Sequence, residues 1–118
     1  MNLEWYPDDY WAWRLPAGET GPSDAFTVMR TPDETTVITT DPGSPADTPR
    51  SGPWRLFRIA DTLPHDAVGI LAQLSAVLAD VAIPILAFGS YDTDYVFIPA
   101  DREADARQAL TVGGYTHL

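Results

Sequence analysis

Ile83-Pro-Ile-Leu-Ala-Phe-Gly-Ser-Tyr-Asp-Thr-Asp-Tyr-Val-Phe-Ile98 contains two apolar runs on either side of a short polar turn, Ser90-Tyr91-Asp92-Thr93-Asp94. Runs of this length, rich in β-branched and aromatic residues and separated by turn formers, predict a β-hairpin. In the first run Ile85 and Ala87 alternate with Leu86 and Phe88, so both faces are apolar. A strand apolar on both faces is expected at the centre of a sheet, covered twice. The polar turn would then lie at the edge of the core.

Working outward, the segment after this hairpin predicts a helix. Asp101 stands where it could cap one, Ala104, Ala106, Ala109 and Leu110 follow, and Gly113-Gly114 supplies a stop. Tyr115 to Leu118 could add a short strand. Before the hairpin, Ile70, Leu71, Leu74, Val77, Leu78 and Val81 form one apolar stripe at helical spacing. That helix is expected to start near Pro64, because proline is tolerated in the first turn. Asp61 and Asp66 then sit where negative charge favours a helix N-terminus. Trp54 to Ala60 predicts a strand. Residues 54–118 thus read β-α-β-β-α-β, an α+β fold of the ferredoxin-like plan.

The first part of the chain is less regular. Residues 1–9 are expected as a lead-in arm, and Tyr10 to Leu15 alternates with period two, as a strand does. Trp11 and Trp13 share one face of it; a sugar-stacking platform is one reading, and core packing is the one favoured here. Residues 16–24 read as a loop. Ala25 to Arg30 and Thr35 to Thr40 predict two strands around Thr31-Pro32-Asp33-Glu34, a proline turn. Asp41 to Pro53 holds four of the eleven prolines and reads as a linker outside any sheet. Residues 10–40 give the same plan with its helices lost. The expected division is therefore 1–53, a degenerate half ending in the 41–53 linker, and 54–118, an intact half, packed side by side.

Bulk composition narrows the function classes. The 118 residues are 45% apolar, enough for a packed core. With no cysteine, disulfides, thiolate metal sites and cysteine nucleophiles are excluded, and a cytoplasmic setting is expected. No signal peptide is recognisable near Met1, and no run approaches the roughly 18 apolar residues of a membrane span. Seven arginines, no lysine and 17 acidic residues give a net charge of −10. A field of that sign repels nucleic acid and anionic membranes. The carboxylates are scattered rather than massed, unlike those of a nucleic-acid mimic.

Chemistry-bearing motifs are few. Asp92-x-Asp94 could be half of a metal site, but hard cations want six or so oxygens and no second acidic cluster is spaced to help. A Ser-His-Asp relay needs serine on a strained turn such as Gly-x-Ser-x-Gly; Ser90 lies in Phe-Gly-Ser-Tyr-Asp. His65 and His117 are far apart in sequence, which suits solvated or capping roles. No dinucleotide or Walker glycine motif occurs. No enzyme, no metal and no cofactor are expected. A helix N-terminus binds anions through free N–H groups, so the loop at 61–66 could hold a carboxylate. Asp92 and Asp94 could accept an ammonium or guanidinium group. Alternatively, Ser90, Asp92 and Asp94 only bond the turn's own backbone.

Trp54 to Ile98 resembles the small ACT-type domains of the family that includes the arginine-sensing CASTOR proteins and their short bacterial relatives. The residues that carry the resemblance are Val68-Gly69-Ile70-Leu71, Ile83 and Phe88-Gly89-Ser90-Tyr91-Asp92-Thr93-Asp94-Tyr95-Val96. Met29-Arg30-Thr31-Pro32-Asp33-Glu34 is similar to a hairpin in the first half of the bacterial members. The resemblance implies an ACT unit with a second, degenerate ACT-like half packed beside it. It also implies a regulatory module for an amino acid-like small molecule, without catalysis. Carried onto this sequence, the ligand-binding positions are Leu63, Pro64, His65 and Asp66 in the loop and Ser90, Tyr91 and Asp94 in the turn, at the junction of the halves. Two departures from the relatives are Pro64, near a glycine position, and Ala67-Val68, at a Ser/Thr position. The acidic excess favours a cationic ligand side chain. Neither nucleic acid nor membrane is expected as a partner, and a homodimer is compatible with the pattern. The alternative is a structural or protein-interaction module whose vestigial pocket is filled by side chains.

Overall fold

In the computed structural model, which describes residues 1–118, the chain runs β1 (Asn2–Pro16), β2 (Thr27–Arg30), β3 (Glu34–Thr39), β4 (Arg50–Ile59), α1 (Ile70–Asp80), β5 (Leu86–Gly89), β6 (Asp94–Pro99), α2 (Glu103–Val112) and β7 (Thr116–His117). A 3-10 turn, Ala100–Arg102, leads into α2. The chain forms two compact units, Met1–Pro7 with Arg55–Leu118, and Asp8–Trp54. Strands β1 and β4 contribute residues to both. No helix is long and apolar enough to cross a membrane.

The larger unit is the β-α-β-β-α-β arrangement read from residues 54–118, with one insertion. Its strand order is β7-β1-β4-β6-β5. In a plain ferredoxin-like sheet the last strand lies beside the first of the motif; here the start of β1 occupies that place. β7 pairs in parallel with it through Asn2↔Thr116 and Leu3↔His117. The expected lead-in arm is therefore a strand. Its period-two signal, Leu3 and Trp5 against Glu4 and Tyr6, is cut short by Pro7-Asp8-Asp9. Leu3 is fully buried, and the Trp5 ring lies 4.7 Å from that of Phe57. Leu74 and Leu78 of α1 and Ala106 and Leu110 of α2, each pair one turn apart, pack with Leu3, Phe57, Ile59, Val96 and Ile98 in one core. Both helices thus cover the same face.

The hairpin is present: β5 and β6 are antiparallel, from Leu86↔Phe97 to Gly89↔Asp94. The expectation that its first strand is central is overturned. β5 ends the strand order, and its residues are half-buried or exposed. Val96, Phe97 and Ile98 of β6 are the fully buried ones. A four-residue strand is too short for its composition to report how many neighbours it has.

The two helix starts also differ from expectation. α1 begins at Ile70, six residues after Pro64, behind Gly69 in the left-handed region at φ 80°. Pro64 instead opens a turn closed by the Ala67 N–H on its carbonyl at 3.1 Å. Asp61 accepts the Asn2 N–H at 3.3 Å, and Asp66 is exposed in the loop. Asp101 belongs to the 3-10 turn and caps nothing; Arg102 precedes α2 without a side-chain cap. The Gly113-Gly114 stop forms as read. Gly114 has φ 95°, its N–H reaches Thr111 O and the Tyr115 N–H reaches Leu110 O, a Schellman ending.

The smaller unit has strand order β2-β3-β1-β4. β1 pairs with β3 from Trp11↔Thr39 to Pro16↔Glu34, and β3 with β2 from Thr27↔Ile38 to Arg30↔Thr35. Trp13, Leu15 and Val37 form its core, with Trp11 half-buried against them. The segment read as a linker outside any sheet is one only in part, because Arg50–Pro53 opens β4. Gly52 makes that possible: a Cβ there would stand 2.8 Å from both the Tyr10 carbonyl and the Trp11 ring. Glycine permits the close approach that the surrounding prolines concealed.

Candidate ligand-binding site

Loop 61–69 and the turn of the β5–β6 hairpin are tied to each other at two levels. The Leu63 N–H donates to the Asp92 carbonyl at 2.8 Å. The His65 Nε2 lies 2.8 Å from the Tyr91 carbonyl, and the two rings meet edge to face at 4.5 Å. The turn has its own internal bonds. Ser90 donates to the Thr93 carbonyl through both N–H (2.8 Å) and hydroxyl (3.0 Å), and its Oγ accepts the Thr93 N–H at 3.3 Å. Thr93 is buried, and its hydroxyl donates to the Ile59 carbonyl at 2.8 Å. The turn is thereby fixed to β4.

Between these segments lies an open cleft of about 300 Å3, built within the larger unit alone. It is lined by Leu63, Pro64, His65 and Ala67 of the loop, Gly69 to Ala72 at the start of α1, and Ser90 to Asp94 of the turn. Of the seven residues proposed from sequence, six line this cleft and Asp66 does not. Their conditions differ. Ser90 is occupied within the turn, and His65 with Tyr91 clips the loops together. The Asp92 and Asp94 carboxylates make no hydrogen bond and no ion pair, and Asp94 is half-buried. Self-bonding of the turn therefore describes Ser90 and not the two aspartates.

The sequence reading missed the start of α1. Its first N–H groups have no intrahelical partner; the ladder opens with the Gln73 N–H on the Gly69 carbonyl at 3.0 Å. No side chain caps them, and the first turn carries no acidic residue. Donors and helix dipole therefore face the cleft unopposed. Glycine before the apolar stripe was the available signal, since glycine is among the favoured N-cap residues. Pro64 outweighed it because proline suits a helix start and a loop turn equally. One end of the cleft thus offers backbone donors, and the other a carboxylate without a partner.

The larger unit is thus a ferredoxin-like α+β domain with a small-molecule-sized cleft at a helix start. The chain belongs to the ACT-domain family: the family's sequence pattern matches residues 51–112. ACT domains are generally small-molecule regulatory binding modules. No curated protein matches the sequence. Among solved structures, the chain is similar to a protein from Agobacterium tumefaciens, at TM-score 0.87 and 23% identity, covering 99% of this chain and 91% of that one. It is also similar to a Vibrio cholerae protein of unknown function (TM-score 0.73, 20% identity, 95% and 88% covered). A third similar structure is that of the aspartokinase alpha and beta subunits (TM-score 0.71, 11% identity, 96% and 97% covered). At these identities the likeness is one of fold.

Proposed function

We propose that the chain is a non-catalytic sensing module that binds an amino acid-like molecule in the cleft between loop 61–69 and turn 90–94. The ligand's carboxylate meets the free N–H groups of Gly69 to Ala72, and its ammonium meets Asp94, with Asp92 close by. One observation carries this reading: a half-buried carboxylate without a partner lines the same cleft as an uncapped, acid-free helix start. Ionised donors and acceptors make the stronger hydrogen bonds. No arginine lines the cleft, and the chain's charge is −10, so a ligand with a cationic side chain is favoured. The resemblance to bacterial relatives of the arginine-sensing CASTOR proteins points the same way. Residues 1–53 are read as the degenerate companion half and 54–118 as the ACT-like half.

Thermal shift against the twenty amino acids tests the proposal. A ligand at a hundredfold excess over its Kd stabilises by about 2.7 kcal/mol, a rise of several degrees in Tm for a domain of this size. Stabilisation by a basic amino acid that Asp94→Ala removes is the expected result. No stabilisation by any of the twenty contradicts it. One observation favours the second reading, a protein-interaction module. A groove of about 560 Å3 between α1 and α2 is lined by Val77, Val81, Ala109 and Val112, and Val112 is 84% exposed. In that case Val112→Asp weakens self-association or partner binding, while amino acids leave Tm unchanged.

A further inference from the structure

Helices α1 and α2 carry apolar side chains that the core does not use. Leu74, Leu78, Ala106 and Leu110 are buried in it, whereas Val81 is 40% and Val112 84% exposed. Contiguous apolar surface left in water marks an interaction site. These two valines are contiguous: with Val77 and Ala109 they line the groove of about 560 Å3 between the helices. Gly113 lets the end of α2 close on α1, because a Cβ there would stand 3.1 Å from the Val77 Cγ2.

The groove is long rather than round. On α2 its lining falls at Arg102, Asp105, Ala109 and Val112, one residue per turn from the helix start to its end. Val77 and Val81 keep the same spacing on α1. The groove therefore follows α2 for all 10 of its residues, about 15 Å. A trough of that form accepts an amphipathic helix, whose apolar anchors recur at i, i+3, i+4 and i+7. A compact ligand would fill only part of it.

Charge selects the kind of helix. Arg102, the one cation on the groove, is occupied within the unit: Nε donates to Asp105 at 3.2 Å, Nη1 to the Ala82 carbonyl at 3.3 Å and Nη2 to the Val81 carbonyl at 3.0 Å. Asp80 on the opposite rim makes no hydrogen bond and no ion pair, and the Asp105 side chain remains 64% exposed. A second copy of this chain would bring the same two carboxylates to the rim and a further net charge of −10, which disfavours self-pairing. We propose that the groove is the docking site for a basic amphipathic helix of another protein. Its aliphatic stripe covers Val77, Val81, Ala109 and Val112, and its lysines or arginines meet Asp80 and Asp105. The inference goes beyond amino acid sensing and does not rest on the cleft at Asp94.

The probe is a synthetic leucine–lysine peptide about four turns long, with leucine at i, i+3, i+4 and i+7 and lysine elsewhere. A second peptide has the same composition in scrambled order, and a third carries glutamate in place of lysine. Fluorescence anisotropy gives each Kd, and 1H–15N shifts of the labelled protein locate the bound peptide. The ordered lysine peptide should bind at least tenfold tighter than the scrambled one and move the amides of Val77 to Val81 and Gln108 to Gly113. The glutamate peptide should not bind. Val112→Asp separates docking from mere attraction between opposite charges. It adds a carboxylate at an exposed position, so attraction alone would tighten binding, whereas docking on the valine weakens it at least tenfold. Asp80→Lys should weaken binding too, and Asp94→Ala should leave it unchanged. Equal binding of the scrambled peptide, shifts that lie outside the groove, or a Val112→Asp protein that binds as tightly overturns the proposal. So does a dimer in sedimentation that Val112→Asp dissociates, which identifies a second copy as the occupant.

Discussion

Ser90, Thr93 and Asp94 lie within five residues of one another, and the structure gives them different work. Turn formers of this kind were legible in the sequence, because their side chains reach nearby backbone. Which of them does so was not, because it depends on whether a carbonyl falls within reach after the strands have paired. Ser90 finds the Thr93 carbonyl, Thr93 finds Ile59 on β4, and Asp94 finds nothing. Thr93→Val removes the buried bond to Ile59 while keeping the shape, and should cost about 1–2 kcal/mol in urea unfolding. A midpoint equal to that of the unaltered protein would mean that the turn is held without it. A second residue-scale effect lies at the end of α1. Ala82 has φ 57°, its N–H on Ala79 O and the Ile83 N–H on Leu78 O. It fills the left-handed position of a Schellman ending where glycine is usual. Arg102 offsets this by donating to the Val81 carbonyl at 3.0 Å and the Ala82 carbonyl at 3.3 Å. Ala82→Gly should raise stability by about 0.5–1 kcal/mol; a lowered midpoint would contradict the strain.

At the scale of elements, the helical stripe was the most legible signal and the helix start the least. Leu74 and Leu78, read as its apolar face, are fully buried. Leu74→Ala should therefore cost about 2–5 kcal/mol, and a loss below 1 kcal/mol would mean that the site collapses around the gap. The start was misread because Pro64 and Gly69 both signal helix beginnings, and Gly69 lies five positions after Pro64. That displacement moved the expected backbone donors from Gly69–Ala72 to the loop. At the start of α2, Glu103 binds Arg55 at 2.8 Å and Arg107 at 3.0 Å. Burial pushes its carboxyl upward, and the bonds to the two guanidinium groups outweigh burial, so it titrates below the usual carboxylate value. A depressed carboxyl stabilises the fold above its unfolded pKa, and that contribution disappears as pH falls through the folded one. Stability should thus decline below about pH 4.3, the ordinary glutamate value, and Glu103→Gln should flatten that decline. An identical pH profile for the variant would remove Glu103 as a source of acid sensitivity.

The whole molecule was legible as two strand-rich segments, one with helices and one without. How β1 is shared was not. Pairing of Asn2 with Thr116 joins the two ends of the chain, and no local periodicity reports such a partner. The same holds for Gly52, whose value lies in what approaches it, and for β5, whose edge position depends on strands far off in sequence. The sequence reading set the binding site at the junction of the halves, whereas both sides of this cleft belong to one unit and are fastened by short local bonds. An acidic molecule should also gather cationic ligands faster at low ionic strength, as screening sets in over about 10 Å at 0.1 M salt. The most direct test is a 1H–15N titration of the labelled protein with L-arginine, alongside Asp94→Ala. The account predicts saturable shifts at the amides of Gly69 to Ala72 together with those of Ser90 to Asp94, absent in the variant. Binding that leaves Gly69 to Ala72 unmoved, or that persists unchanged in Asp94→Ala, would contradict it.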